Sequence, residues 1–135
     1  MPKELIINSL KLRNYLSFEF LRRASEKDYN TSLSSTAYRF VTLSNFPVIL
    51  LVSNKGRLRW KISSTLFQKY LPLLKESEVS NLFIDSKDAI NSRGSRIVPF
   101  TKWFHQDTNT KARLKEESYC TNYGIMTLLS PNGIL

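Results

Sequence analysis

Apolar residues along this chain follow two different periods, and the change between them falls at Pro47. Before it the spacing is helical. Leu5, Ile6, Leu10 and Leu12 give a loose apolar side to a short opening helix, and Pro2 suits its first turn. Ser17 is placed to cap a second helix in which Phe20, Leu21 and Ala24 share a face, while Glu19, Arg22, Arg23 and Glu26 point elsewhere. Tyr29-Asn30-Thr31 forms a break, where Asn30 suits the left-handed turn conformation. Ser32 is the next cap, and Leu33, Ala37, Phe40 and Val41 follow at i, i+4, i+7 and i+8, the spacing of one buried helical stripe. Two helices joined by a turn of about three or four residues permit a helix-turn-helix geometry.

After Pro47 the period shortens. Pro47 disfavours helix at Phe46, and Val48 to Val52 is a β-branched and leucine run suited to a strand buried on both faces. Ser53-Asn54-Lys55-Gly56 reads as a hairpin turn with Gly56 at positive φ. In the returning strand, Arg57 to Ser63, Leu58, Trp60 and Ile62 are expected on one face and Arg57, Arg59 and Lys61 on the other. Ser64 to Lys75 reads as a helix interrupted by Pro72, Asp85 to Asn91 as a short helix or connector, and Asn91 to Ser95 as a loop. Lys111 to Cys120 is a poorly alternating strand, Thr121 to Gly124 a turn, Ile125 to Leu129 a buried strand, and Ser130-Pro131-Asn132-Gly133 a stop. The expected fold class is α+β, with an N-terminal helical segment over residues 1–46 and a mostly antiparallel sheet domain over 47–135.

At 135 residues the chain is long enough to bury about two-thirds of its unfolded surface, and 41% hydrophobic with 23% charged residues is a globular composition. The longest apolar run, Phe46 to Val52, is far short of a bilayer span, so no membrane partner is expected, and the absence of an apolar signal core points to the cytoplasm. One cysteine, Cys120, excludes an internal disulfide and fits a reducing compartment; with the single His105 it cannot build a Cys/His zinc site. The net charge of +9 is unevenly distributed, because no acidic residue lies between Asp28 and Glu76 while Arg39, Lys55, Arg57, Arg59, Lys61, Lys69 and Lys75 do. Such segregation attracts anionic partners, nucleic acid first, if the charges also gather in space; otherwise it is only a basic, solvated surface.

Catalytic chemistry finds little support. His105 with Asp107 lacks a marked nucleophile, the glycines are isolated and cradle no phosphate, and Glu116-Glu117 point to opposite faces of a strand. No catalytic residue, metal site or cofactor is expected. Two polar surfaces remain as candidate nucleic-acid contacts. One is the outer face of the Ser32–Leu43 helix, with Ser34, Ser35, Tyr38, Arg39 and Thr42. The other is the row Arg57, Arg59 and Lys61, which reads either as a backbone-binding ladder or as charges that keep a sheet edge from aggregating. Trp60 and Trp103 are expected in the core.

Three stretches carry a family likeness: Leu16 to Leu21; Ser32 to Ser44; and Phe46-Pro47-Val48 with Val52-Ser53-Asn54-Lys55-Gly56-Arg57-Leu58-Arg59-Trp60. They resemble the region after the protease core of ImmA/IrrE-type zinc metallopeptidases. Glu117-Ser118-Tyr119 through Tyr123-Gly124-Ile125-Met126-Thr127-Leu128-Leu129 is similar to that family's closing hairpin, while Lys69 to Lys111 matches poorly. The resemblance implies a helix-turn-helix-like segment followed by a GAF-like domain, in proteins of bacterial stress responses and mobile-element induction. The His-Glu-x-x-His motif is missing, so neither zinc nor peptidase activity carries over, and Met1-Pro2 looks like the point at which the peptidase ends. The resulting expectation is a non-catalytic regulator that binds DNA or a repressor-type protein through Ser35, Tyr38, Arg39, Arg57, Arg59 and Lys61. The alternative is a docking or sensing module without nucleic-acid binding, holding an unknown small ligand in the GAF-like domain.

Overall fold

The computed structural model describes residues 16–28, 32–65, 74–82, 92–105 and 112–132. The opening helix expected before Leu16, the break at 29–31, most of the expected Ser64–Lys75 helix and the 85–91 connector lie outside these residues.

Helix α1, Phe18–Arg23, continues as a π-helical turn over Ala24–Asp28, and helix α2 spans Leu33–Leu43. Both starts follow from local chemistry. The Ser17 hydroxyl accepts from the Phe20 N–H at 3.2 Å, and the Ser32 hydroxyl accepts from the Ser35 N–H at 3.1 Å, each satisfying a donor that the first helical turn leaves orphaned. A further orphan, the Phe18 N–H, donates to the carboxylate of Glu117, a cap supplied from the sheet.

Five strands follow: β1 Ile49–Asn54, β2 Arg57–Ser63, β3 Arg93–Pro99, β4 Arg113–Thr121 and β5 Gly124–Asn132. They form one antiparallel sheet in the order β2-β1-β5-β4-β3. A 3₁₀ turn at Glu76–Asn81 lies against β2, and a one-turn helix α3, Phe100–Trp103, follows β3. The architecture is therefore α+β, helices first and an antiparallel sheet after.

Alternation along the central strands sorts the core into two layers. Leu50, Tyr119, Met126 and Leu128 face the helices, where they meet Phe18, Leu21, Ala37, Phe40 and Val41. Ile49, Leu51, Leu114 and Leu129 face the other way, against Val79, Val98, Phe100, Trp103 and Phe104. Burial of each such side chain contributes about 1.5–3 kcal/mol. The sheet is filled on both faces, as the continuous apolar run of β1 anticipates.

Two segments differ from expectation. The loop expected over Asn91–Ser95 is mostly strand: Arg93 pairs with Tyr119 and Gly94 with Ser118, so ladder hydrogen bonds override the turn propensity of Gly and Ser at a sheet edge. The stop expected at Ser130-Pro131-Asn132 is the end of β5. Pro131 is tolerated because β1 pairs with β5 only as far as Leu129, leaving the strand beyond it bordered by β4 alone.

Candidate functional site

The β1–β2 hairpin turns through Lys55 and Gly56, both at positive φ (52° and 75°), the paired left-handed residues of a tight two-residue turn. The returning strand does not alternate as its sequence predicts. Val52 pairs with Trp60 but Ser53 pairs with Leu58, so Arg59 is the extra residue of a β-bulge. Leu58 thereby reaches the core on the face away from the helices, while Trp60 and Ile62 stay on the helical face. The bulge also divides the cationic row. Arg57, opposite Asn54, lies on the helical face with Trp60. Lys61, opposite Leu51, lies on the other, where its ammonium group meets Glu76 at 2.9 Å. The Lys75 ammonium is likewise turned away, donating to the Thr101 carbonyl at 2.8 Å.

Trp60 is not a core residue. It is 38% exposed and meets Tyr38, itself 46% exposed, edge to face with ring centroids 6.3 Å apart. Tyr38 belongs to the outer face of α2, where Ser34, Ser35, Tyr38, Arg39 and Thr42 are all exposed. Thr42 donates back to the Tyr38 carbonyl at 2.7 Å, and the Ser35 hydroxyl accepts from Ser32 at 2.9 Å within the cap, so both hydroxyls are held in place. The structure thus joins Tyr38 and Trp60 in one exposed contact, with Arg39 next to Tyr38 on α2 and Arg57 on the face of Trp60. Lys55, Arg57 and Arg59 have no ion-pair partner among the described residues. Of the expected contacts, Lys61 is carried to the opposite face, and Arg59 is the unpaired residue of the bulge.

The β4–β5 turn packs beside this hairpin. Gly124, at φ +138°, comes so close to β1 that a Cβ there would lie 2.3 Å from the Ser53 carbonyl oxygen. Tyr123, beside Gly124, is 82% exposed. Between this turn and the start of α2 is an open cleft of about 310 Å³ bordered by Arg22, Ser32, Ser34, Tyr119, Asn122 and Tyr123, with Glu26 also on its wall. The Arg22 guanidinium lies 5.7 Å from the centre of the Tyr119 ring and 3.9 Å from Glu26.

A second charged constellation, invisible to the sequence reading, is enclosed on the other face. Glu116 is 1% exposed and accepts from Arg96 Nε at 2.7 Å, Lys102 Nζ at 2.9 Å and Trp103 Nε1 at 2.8 Å. Burial pushes its carboxyl up, but the hydrogen bonds from Lys102, Arg96 and Trp103 and the Lys102 charge outweigh that and hold it below the usual carboxylate range. With its hydrogen bonds satisfied, Glu116 is a structural tie between β3, β4 and α3. The signal that marks it is parity: it shares an inward face with Leu114, Ser118 and Cys120. Glu117 occupies the opposite face, as expected for adjacent strand residues, and caps α1.

His105 is exposed, and Asp107 lies outside the described residues. Cys120 is buried beside Ile125 and Leu82. Among the described residues no group of three His, Cys, Asp or Glu gathers to hold a metal ion, and no helix is long and apolar enough to cross a membrane. Neither the known protein families nor the curated proteins give a match to this chain.

Proposed function

We propose that this chain is a non-catalytic regulatory module, related to the region that follows the protease core in ImmA/IrrE-type peptidases, and that it binds nucleic acid across the seam between α2 and β2. The observation that carries this reading is the exposed Tyr38–Trp60 contact flanked by Arg39 and Arg57. Aromatic rings interleaved with cations are the combination that holds bases and phosphates together. The acid-free interval between Asp28 and Glu76 keeps carboxylate repulsion out of the local sequence. The GAF-like reading draws support from the antiparallel order β2-β1-β5-β4-β3 with α1 and α2 on one face. The helix-turn-helix-like reading draws it from two capped helices in succession.

On this reading the module acts in a bacterial cytoplasm, in a stress or mobile-element response, and a repressor-type protein or nucleic acid is its target. The test is titration of a fluorescent oligonucleotide, single- and double-stranded, at rising salt. Affinity for at least one form is expected to fall steeply with salt, and Arg57→Glu to weaken it further. Binding that is absent at low salt, or indifferent to both changes, overturns the reading in favour of a docking or sensing module that does not contact nucleic acid.

A further inference from the structure

We propose that the nucleic acid held at this surface is single-stranded, its unpaired bases resting on Tyr38, Trp60 and Tyr123; the proposal rests on the reading above and narrows it. The exposed aromatic surface suits unpaired bases. Four large hydrophobic side chains are exposed among the described residues, and three of them, Tyr38, Trp60 and Tyr123, belong to α2, β2 and the β4–β5 turn. Gly124 of that turn closely approaches Ser53 of β1, the strand that pairs with β2. A duplex keeps the faces of its bases inside the stack and gains nothing from such rings. An unpaired base stacks on them whatever its identity.

Steric fit disfavours a duplex. A major groove about 12 Å wide admits one helix, itself about 10–12 Å across with its side chains, or one two-stranded ribbon. Tyr38 on the outer face of α2 lies against Trp60 of β2 at 6.3 Å between ring centres, so α2 stands beside an edge strand and presents both elements at once. That pair is too broad for the groove, but it offers a continuous shelf to a flexible strand.

Positive charge lies close to the rings. Lys55 and Arg57 sit in the hairpin beside the rings without ion-pair partners among the described residues, in position to follow a sugar-phosphate backbone. Beside Tyr123 and the start of α2, the cleft of about 310 Å³ is bordered by Arg22, Ser34 and Asn122, with Glu26 3.9 Å from the Arg22 guanidinium. The guanidinium suits a phosphate, and the hydroxyl and amide suit a base edge.

The experiment uses the full chain and a labelled mixed-sequence oligonucleotide of about 12 nucleotides, within the usual site size for such surfaces. It is presented as single-stranded DNA, as single-stranded RNA and as DNA duplex, with binding followed by fluorescence anisotropy. A single strand is expected to bind at least about tenfold tighter than the duplex, with a salt slope of about −0.7 per phosphate contact. Either sugar satisfies the proposal, and the tighter of the two identifies the natural one. Tyr123→Ala is the cleanest variant because the side chain is almost wholly in solvent. It and Tyr38→Ala are each expected to weaken single-strand binding about fivefold or more, and Tyr123→Phe to retain it. Duplex binding as tight as single-strand binding, or unchanged affinity in both alanine variants, overturns this inference and leaves the broader nucleic-acid reading standing. No binding of any form at low salt overturns both.

Discussion

The indole N–H of Trp103 donates to Glu116 at 2.8 Å, and both side chains are sealed from solvent. The contact joins a one-turn helix, too short to be stable alone, to the middle of β4. Arg96 adds the edge strand to the same carboxylate, from the position directly opposite Glu116 in the β3–β4 ladder. Buried charge of this kind is tolerated because its hydrogen bonds are made, and removing one member exposes the others to the full cost of desolvation.

That arrangement predicts acid sensitivity. The Glu116 carboxyl is held below its usual range in the folded chain, so the stability it contributes is present above the unfolded carboxylate value and is lost as pH falls through the lower, folded one. The melting temperature is expected to drop on acidification, and Glu116→Gln to lower it near neutral pH while flattening the drop. The expected loss for Glu116→Gln is about 3 kcal/mol, at the low end for breaking a buried pair, because Arg96 and Lys102 retain some solvent contact. Urea unfolding at a series of pH values measures both effects; a parallel pH profile for the two proteins contradicts them.

How far the sequence reveals this molecule depends on the range of the interaction that decides each feature. The caps at Ser17 and Ser32, the stripe of Ala37, Phe40 and Val41, and the Lys55-Gly56 turn are settled within a few residues, and they read directly from the chain. The bulge at Arg59 is settled by what lies across from it. Leu58 and Trp60 go to opposite faces because a core layer lies on each side of the sheet, which no local period encodes. The same holds for β3, whose Gly94 and Ser95 become strand only because β4 is there to pair with them. The candidate site was therefore half legible: α2 contributes its outer face as expected, whereas the departure of Lys61 and the exposure of Trp60 follow from a register event between strands.

The two turn glycines are expected to respond differently to a methyl group. Gly124→Ala must hold a side chain at φ +138° and push against the Ser53 carbonyl, so a loss of more than about 3 kcal/mol is expected, or failure to fold. Gly56→Ala meets no atom closer than 3.6 Å and carries only the left-handed penalty, about 1–2 kcal/mol. Chemical denaturation of the two variants checks the order.

Tryptophan fluorescence separates the two indoles. Trp103 is fully buried and Trp60 is partly open among cations, so iodide is expected to quench a single component of the emission, more strongly than caesium does. Trp60→Phe should abolish that component. Equal quenching by the two ions means that the charge around Trp60 is not positive.

Charge reversal tests the divided row itself. Had β2 alternated regularly, Arg57 and Lys61 would share a face and a ligand, and their replacement by Glu would weaken binding alike. The bulge instead puts Arg57 with Trp60 and Lys61 with Glu76. Arg57→Glu is expected to weaken oligonucleotide binding severalfold and to reduce the magnitude of the salt slope by about 0.7 to 1, the loss of one phosphate contact. Lys61→Glu is expected to leave the slope unchanged. Its cost falls on the fold, where loss of a half-exposed ion pair amounts to less than about 1 kcal/mol. Anisotropy titrations at several salt concentrations resolve the two slopes. If Lys61→Glu lowers the slope as much as Arg57→Glu does, the ligand reaches both faces of the edge strand, and the seam between α2 and β2 is not where it binds.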